Sequence, residues 1–149
     1  MPRRPPRLPP LLAEFDDEER EAVLAANRAF YRAFAERNVE AMDQIWAPTG
    51  AVVCLHPGQA PLHGRAEIMA SWRGILRGPG VPDITCTDAT CHIVGDSAFV
   101  ICIERLDVGA LVATNVFVRE DGAWRIIHHH AGPIADDGDD ERPDPGRLN

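Results

Sequence analysis

The sequence predicts an α+β fold, with helices in the first half and a mainly antiparallel sheet in the second. Three observations predict it. Apolar residues recur at helical spacing between residues 16 and 47 and again between 65 and 77. Past Gly78-Pro79-Gly80 the pattern changes to strand-like runs rich in alternating and β-branched residues. Those runs are separated by short turn signals, Gly95-Asp96, Asp107-Val108-Gly109 and Asp121-Gly122, which suit neighbouring antiparallel strands. The natural packing is a curved sheet wrapped around three helices, leaving a cone-shaped cavity.

The elements follow in order. Residues 1–13 are a Pro/Arg-rich tail, expected to be disordered or polyproline-like. The folded domain is expected over 14–133. Asp16-Asp17-Glu18-Glu19 places negative charge where a first helical turn wants it. From there Val23, Leu24, Asn27, Phe30, Tyr31, Phe34 and Ala35 form a helical stripe ending near Arg37-Asn38. A short helix over 39–47 carries Val39, Met42, Ile45 and Trp46, and Pro48 stops it. Residues 50–55 read as a strand ending at His56-Pro57-Gly58, and 59–64 as a loop. A third helix over 65–77 is lined by Ile68, Met69, Trp72, Ile75 and Leu76. Strands are expected at 83–93, 97–107, 109–119 and 123–131. Residues 134–149 hold six acids, two arginines and two prolines, the composition of a solvated acidic tail.

Composition narrows the function classes. At 149 residues one domain is the natural count. The net charge is −8, and all 15 basic residues are arginine. That balance argues against a nucleic-acid binder, which wants a basic stripe. No apolar run approaches the roughly 20 residues that span a bilayer, so no membrane partner is expected. The basic start is followed by no long apolar segment, so a secretory signal is not expected. Cys54, Cys86, Cys91 and Cys102 form no C-x-x-C pair and read as reduced, mostly buried hydrophobes of a cytoplasmic protein.

The last hairpin carries three consecutive histidines, His128-His129-His130, closed by Gly132-Pro133. Alternation along a strand must divide them between the two sheet faces. With Asp121-Gly122 as a two-residue turn, Phe117 faces Ile126, Asn115 faces His128 and Ala113 faces His130. One face then carries Asn115, Phe117, Ile126, His128 and His130, an apolar surface with a polar cluster suited to a small-molecule pocket. The other carries Thr114, Val116, Ile127 and His129 and can serve a dimer contact. A three-residue turn would shift this pairing by one.

Several strings, in this order and spacing, resemble the NTF2-like superfamily, and within it the SnoaL-like and ketosteroid-isomerase-like proteins. They are Phe30 to Asn38, Trp46 to Val53, His56-Pro57-Gly58, Leu62 to Ile68, and Asn115 to Pro133. Trp124 to His130 also resembles the last strand of the association domain of calcium/calmodulin-dependent kinase. The resemblance implies a cone of three helices on a curved mixed or antiparallel sheet, usually dimeric, with a ligand cavity. The isomerase branch places a carboxylate base at the end of the first strand. Here that strand ends in Cys54-Leu55-His56-Pro57, with His56 before a proline as the family's aspartate is, after a two-residue insertion. The branch's protonated aspartate falls on Asn115 and its tyrosine on Phe30, with Tyr31 beside it.

The functional expectation is binding of a small apolar or carbonyl-containing molecule by a homodimer, with no organic cofactor. If the protein is an enzyme, proton transfer next to a carbonyl is expected: isomerisation, or aldol-type cyclisation. His56, with an ordinary pKa near 6.5, would be the base. Asn115 and His128 would steady a developing enolate. Tyr31, Trp72, Phe117, Ile126 and His130 would line the pocket. Two alternatives stay open: a non-catalytic ligand carrier or oligomerisation module, and a zinc site drawn from His56, His63, His128 and His130. The second has no tight ligand spacing behind it.

Overall fold

The computed structural model describes Arg3 and residues 10–135, with side chains from Asp16 onward. Of the expected tails, Arg3, residues 10–13 and residues 134–135 are described, and residues 10–13 are helical where a disordered tail is expected; the rest lies outside the described residues. The first helix, α1 (Pro10–Ala35), begins before the acidic run. Proline is well suited to a first helical position, and the leucines and alanine after it are strong helix formers. Asp16 to Glu19 therefore lie inside the helix rather than in its first turn. α1 stops because Arg37 turns left-handed at φ 53°. The Asn38 N–H then bonds the Ala33 carbonyl at 2.9 Å and the Arg37 N–H bonds Phe34 at 3.1 Å, which caps the open end. Asn38 next caps α2 (Val39–Ile45), its side-chain oxygen accepting from the Ala41 N–H at 3.0 Å.

The first strand is shorter than expected, β1 (Val53–Leu55), and it pairs with a two-residue β2 (Leu62–His63) inside the stretch read as a loop. α3 (Arg65–Arg77) follows, with the bounds the sequence indicates. β3 (Thr85–Val94), β4 (Ser97–Arg105), β5 (Ala110–Glu120) and β6 (Ala123–Pro133) form the meander. Among the described residues these six strands make one sheet, ordered β2-β1-β6-β5-β4-β3. β1 runs parallel to β6 and the other pairings are antiparallel. The α+β class and the helices-on-curved-sheet arrangement are as the sequence indicates.

The inner face of the sheet meets the helices in a core of Phe30, Met42, Trp46, Ile68, Leu76, Val100, Phe117 and Ile126, each at most 2% exposed. Burying side chains of this size contributes roughly 1.5–3 kcal/mol each. Arg65 ties the helical layer to the sheet. Its guanidinium donates to the carbonyls of Trp46 (3.0 Å), Ala47 (3.2 Å) and Asp43 (2.6 Å) and to the Asp43 carboxylate (2.6 Å). Trp46 itself bridges to Ile126 of β6. One arginine thus fixes where α3, and with it Trp72, sits over the sheet.

The Asp121-Gly122 turn has two residues, both at positive φ (51° and 77°), and Glu120 faces Ala123. Phe117 faces Ile126 as expected. Beyond that point the expected register fails. A bulge puts one extra residue into β6, so Val116 faces His128, Asn115 faces His129, Thr114 faces His130 and Ala113 faces Ala131. The bulge moves every later side chain of β6 to the opposite face. His129 therefore points inward and is 3% exposed. His128 and His130 lie on the outer face, contrary to the pocket positions expected of them; His130 is exposed, and their rings pack edge-on at 6.4 Å.

Arg65→Ala is expected to cost about 1–3 kcal/mol, the range for losing hydrogen bonds from a charged group. Urea unfolding followed by circular dichroism measures it. A loss under about 0.5 kcal/mol, the level of a neutral surface change, would show that the clamp contributes nothing.

Candidate functional site

The mouth of the cone opens into a cavity of about 350 Å³. Its walls are aromatic and aliphatic: Phe30, Tyr31 and Phe34 from α1, Trp72 and Ile75 from α3, Leu111 from β5. Its polar groups are few: His56 after β1, Gln59, Glu104 on β4 and His129 on β6, with the Tyr31 hydroxyl. Among the described residues no arginine lines it, and the chain has no lysine. The cavity therefore offers no fixed cation to a carboxylate or phosphate. An apolar pocket with a few convergent polar groups is the common form of a small-molecule site.

A buried polar chain runs behind these walls. His129 Nδ1 lies 2.5 Å from Asn115 Oδ1. An amide oxygen can only accept, so the imidazole donates. The Asn115 amide nitrogen donates to Asn27 Oδ1 (2.8 Å) and to the Tyr31 hydroxyl (3.2 Å). Tyr31 donates to Glu104 Oε2 at 2.7 Å and also touches Cys102 Sγ at 3.2 Å. Asn27 completes its amide on Cys86 Sγ at 3.8 Å. Asn27, Asn115, Glu104 and His129 are each at most 3% exposed. Leaving such groups unpaired would cost roughly 1–3 kcal/mol apiece, so the chain is what allows them inside an apolar cone.

Across the cavity His56 is also buried. Its Nε2 shares a hydrogen bond with Ser71 Oγ at 3.0 Å and lies 3.7 Å from Cys54 Sγ. Trp72 packs against both imidazoles, edge-on to His56 with ring centroids 4.9 Å apart and tilted against His129 at 6.2 Å. Among the described residues, only the indole N–H groups of Trp46 and Trp72 are both sealed and unbonded. Among the described residues none bonds His129 Nε2 or Glu104 Oε1, neither is a sealed atom, and both residues line the cavity.

Burial sets the charge states. Desolvation, then the neighbouring imidazoles, holds the His129 pKa down to about 3. Desolvation lowers that of His56 as well. Burial raises Glu104 above the ordinary carboxyl value, with the Tyr31 hydrogen bond opposing it. Burial and the Glu104 charge push the Tyr31 hydroxyl well up, so it stays protonated. The result is two imidazoles held neutral and a carboxyl biased toward its acid form in one cavity, their pKa values pushed by environment.

The expected site residues thus divide. Tyr31, Trp72 and His56 line the cavity. Asn115 is inside but one layer back, holding His129 and Tyr31. Phe117 and Ile126 are sealed core beside it, not cavity wall. His128 and His130 are on the far side of the sheet. Histidines 56, 63, 128 and 130 do not assemble, and among the described residues no three ligating side chains gather as a metal site. Glu104, Phe30 and Phe34 were missed as site residues. Glu104 had a signal: it ends the inward row Ala98, Val100, Cys102, a polar group on an apolar period. Among the described residues no helix is long and apolar enough to cross a membrane.

Residues 23–136 match the family model of the SnoaL-like domain. A protein of the NTF2-like family from Streptomyces avermitilis, provisionally assigned as a dehydratase, is 33% identical. Its structure superposes with a TM-score of 0.74 over 81% of this chain and 99% of its own. A domain from Thiobacillus denitrificans, provisionally assigned as a calcium/calmodulin-dependent protein kinase type II association domain, is 36% identical. It has a TM-score of 0.67 and covers 74% of this chain and 93% of its own. The F-box protein SKIP8 of Arabidopsis thaliana is 28% identical over 112 residues, 74% of this chain. The chain spans about half (48%) of that protein's length.

Acid should test the buried imidazole. Unfolded, His129 takes a proton near its ordinary 6.5, and folded only near 3. Between those values the unfolded chain binds more protons, so its stabilising contribution is full above 6.5 and drains as pH falls toward 3. Glu104, with its pKa raised, works the other way: its contribution is present in acid and fades as pH rises past its ordinary 4.5. The His129 ring resonances are expected to stay those of a neutral imidazole from pH 7 down to about 4. A midpoint near 6.5 by NMR titration would contradict the burial argument.

Proposed function

This chain belongs to the SnoaL-like domain family of the NTF2-like superfamily, and on that premise we propose that it binds a small, uncharged, carbonyl-containing molecule in the cone and moves a proton next to the carbonyl. One observation carries the reading: neutral imidazoles and a buried carboxyl of raised pKa line one aromatic-walled cavity that holds no fixed cation. His129 Nε2 takes the proton from the carbon beside the carbonyl. The Glu104 carboxyl, steadied by Tyr31, donates a hydrogen bond to the enolate oxygen as charge develops there. His56, backed by Ser71, is the second neutral imidazole and serves the far end of the ligand. The enolate then regains the proton from His129 at another carbon, an isomerisation, or its carbon attacks an internal carbonyl whose oxygen takes that proton back from His129, a cyclisation. No organic cofactor is needed for either. The bulge brings His129 to the cavity in place of His128, the role of base expected of His56 passes to His129, and Asn115 acts from behind the imidazole instead of on the ligand.

Hydrogen exchange at carbon tests this without knowledge of the natural ligand. Cyclic ketones and enones are incubated with the protein in D₂O, and loss of the α-proton signal is followed by NMR. Catalysed exchange is expected for at least one of them, falling about 10²–10⁴-fold in His129→Ala, the usual weight of a general base. No exchange above buffer across the panel would remove the reading, and unchanged exchange in His129→Ala would remove that residue as the base.

A second reading has its own observation. The outer face of the sheet carries Phe99, Ile101, Ile103, Val112 and Val116, none of them fully buried, with Ile101 38% exposed. Such a face suits a second copy of the chain, as the likeness to a kinase association domain also suggests. Light scattering is expected to give a mass of at least twice 16.3 kDa, reduced by Ile101→Glu. A monomer at tens of micromolar would exclude assembly through this face.

A further inference from the structure

We propose that Asn115 is a positioning residue: through Tyr31 and Glu104 on one side and His129 on the other, it fixes which nitrogen of His129 carries the proton and presents the bare Nε2 to the cavity. Donors and acceptors must match along four buried side chains. Glu104 Oε2 is an acceptor whether the carboxyl is ionised or holds its proton on the other oxygen, so Tyr31, 2.7 Å away, donates to it. A hydroxyl has one proton, so toward Asn115 the Tyr31 oxygen accepts. The group 3.2 Å away must then be the Asn115 amide nitrogen, which also reaches Asn27 Oδ1 at 2.8 Å. With its nitrogen committed there, the amide turns its oxygen to His129, 2.5 Å from Nδ1. An acceptor at that place requires the proton on Nδ1. Nε2 is left as a lone pair, and it is not among the sealed, unbonded atoms.

A flipped amide would set the Asn115 and Asn27 oxygens against one another and point an N–H at the imidazole. The burial of all four residues leaves no solvent to repair those mismatches. The consequence for recognition is specific. His129 takes a ligand that offers a hydrogen-bond donor or an acidic C–H at that point, and rejects one that brings a second acceptor. The ligand class rests on the proton-transfer reading above; the tautomer does not, because it is a property of the empty protein.

The test is the long-range ¹H–¹⁵N spectrum of the uniformly labelled full chain at neutral pH, without ligand. Nδ1 of His129 is expected at a pyrrole-type nitrogen shift and Nε2 at a pyridine-type shift. The reverse pattern would overturn the proposal. Asn115→Leu keeps the approximate size and deletes the acceptor, and should convert a single tautomer into a mixture with a visible Nε2–H population. Asn115→Ala serves the same purpose if the leucine is not accommodated. A pure Nδ1–H form surviving in a folded variant would show that something other than Asn115 sets the proton, and would also overturn the proposal. Failure of α-proton exchange with the predicted tautomer intact would count against the catalytic reading alone.

Discussion

One extra residue in β6 decides what the interior of this protein can do. If the strand ran regularly from the Asp121-Gly122 turn, His128 and His130 would face the helices, and His129 would face outward. The bulge after Ile126 reverses that, seating a single imidazole opposite Asn115 and beside Cys54 of β1. The rest of the site is built around that seat: Phe30 packs on the ring at 5.0 Å, Trp72 closes one side, and Asn115 Oδ1 accepts a hydrogen bond from Nδ1. Bulges recur where a strand must re-aim a side chain near a site, and this one turns an imidazole inward.

The second constraint is solvation. The cone is apolar, and it nevertheless holds two asparagines, a glutamate, a tyrosine hydroxyl and an imidazole away from water. They coexist because each donor meets an acceptor in a single chain from His129 to Glu104. The same burial pushes the acid and the base toward their neutral forms from opposite directions. An ion pair there would have to meet a desolvation cost of several kcal/mol per charge. A carboxyl and an imidazole both pushed toward their neutral forms, in a cavity that no described arginine lines, suit a ligand that becomes charged only as it reacts.

The fold was legible in the sequence because its signals are local and repeated: helical stripes, a change of period after Gly78-Pro79-Gly80, and turns of the right length. The site was legible in part, and the failures have physical causes. Tyr31, Trp72 and His56 were readable from a helical stripe and a strand end. The histidine assignment failed because a bulge leaves little mark on hydrophobic alternation, and nothing in Ile126-Ile127-His128 announces one. β2 escaped because two paired residues carry no periodicity. Glu104 and Asn27 were visible as polar residues on apolar rows, a pattern that means strain unless a partner waits across the core. The partners here are far along the chain: Tyr31 lies 73 residues from Glu104, and Asn115 lies 88 residues from Asn27.

If the proposal holds, His129, and not its neighbours, meets the ligand. The ¹⁵N shifts of all three histidines, followed while a phenol that binds the cavity is titrated in, test this. His129 Nε2 is expected to move as it gains a hydrogen-bond donor, with His128 and His130 unchanged on the outer face. Movement of His128 and His130 while His129 stays still would contradict it.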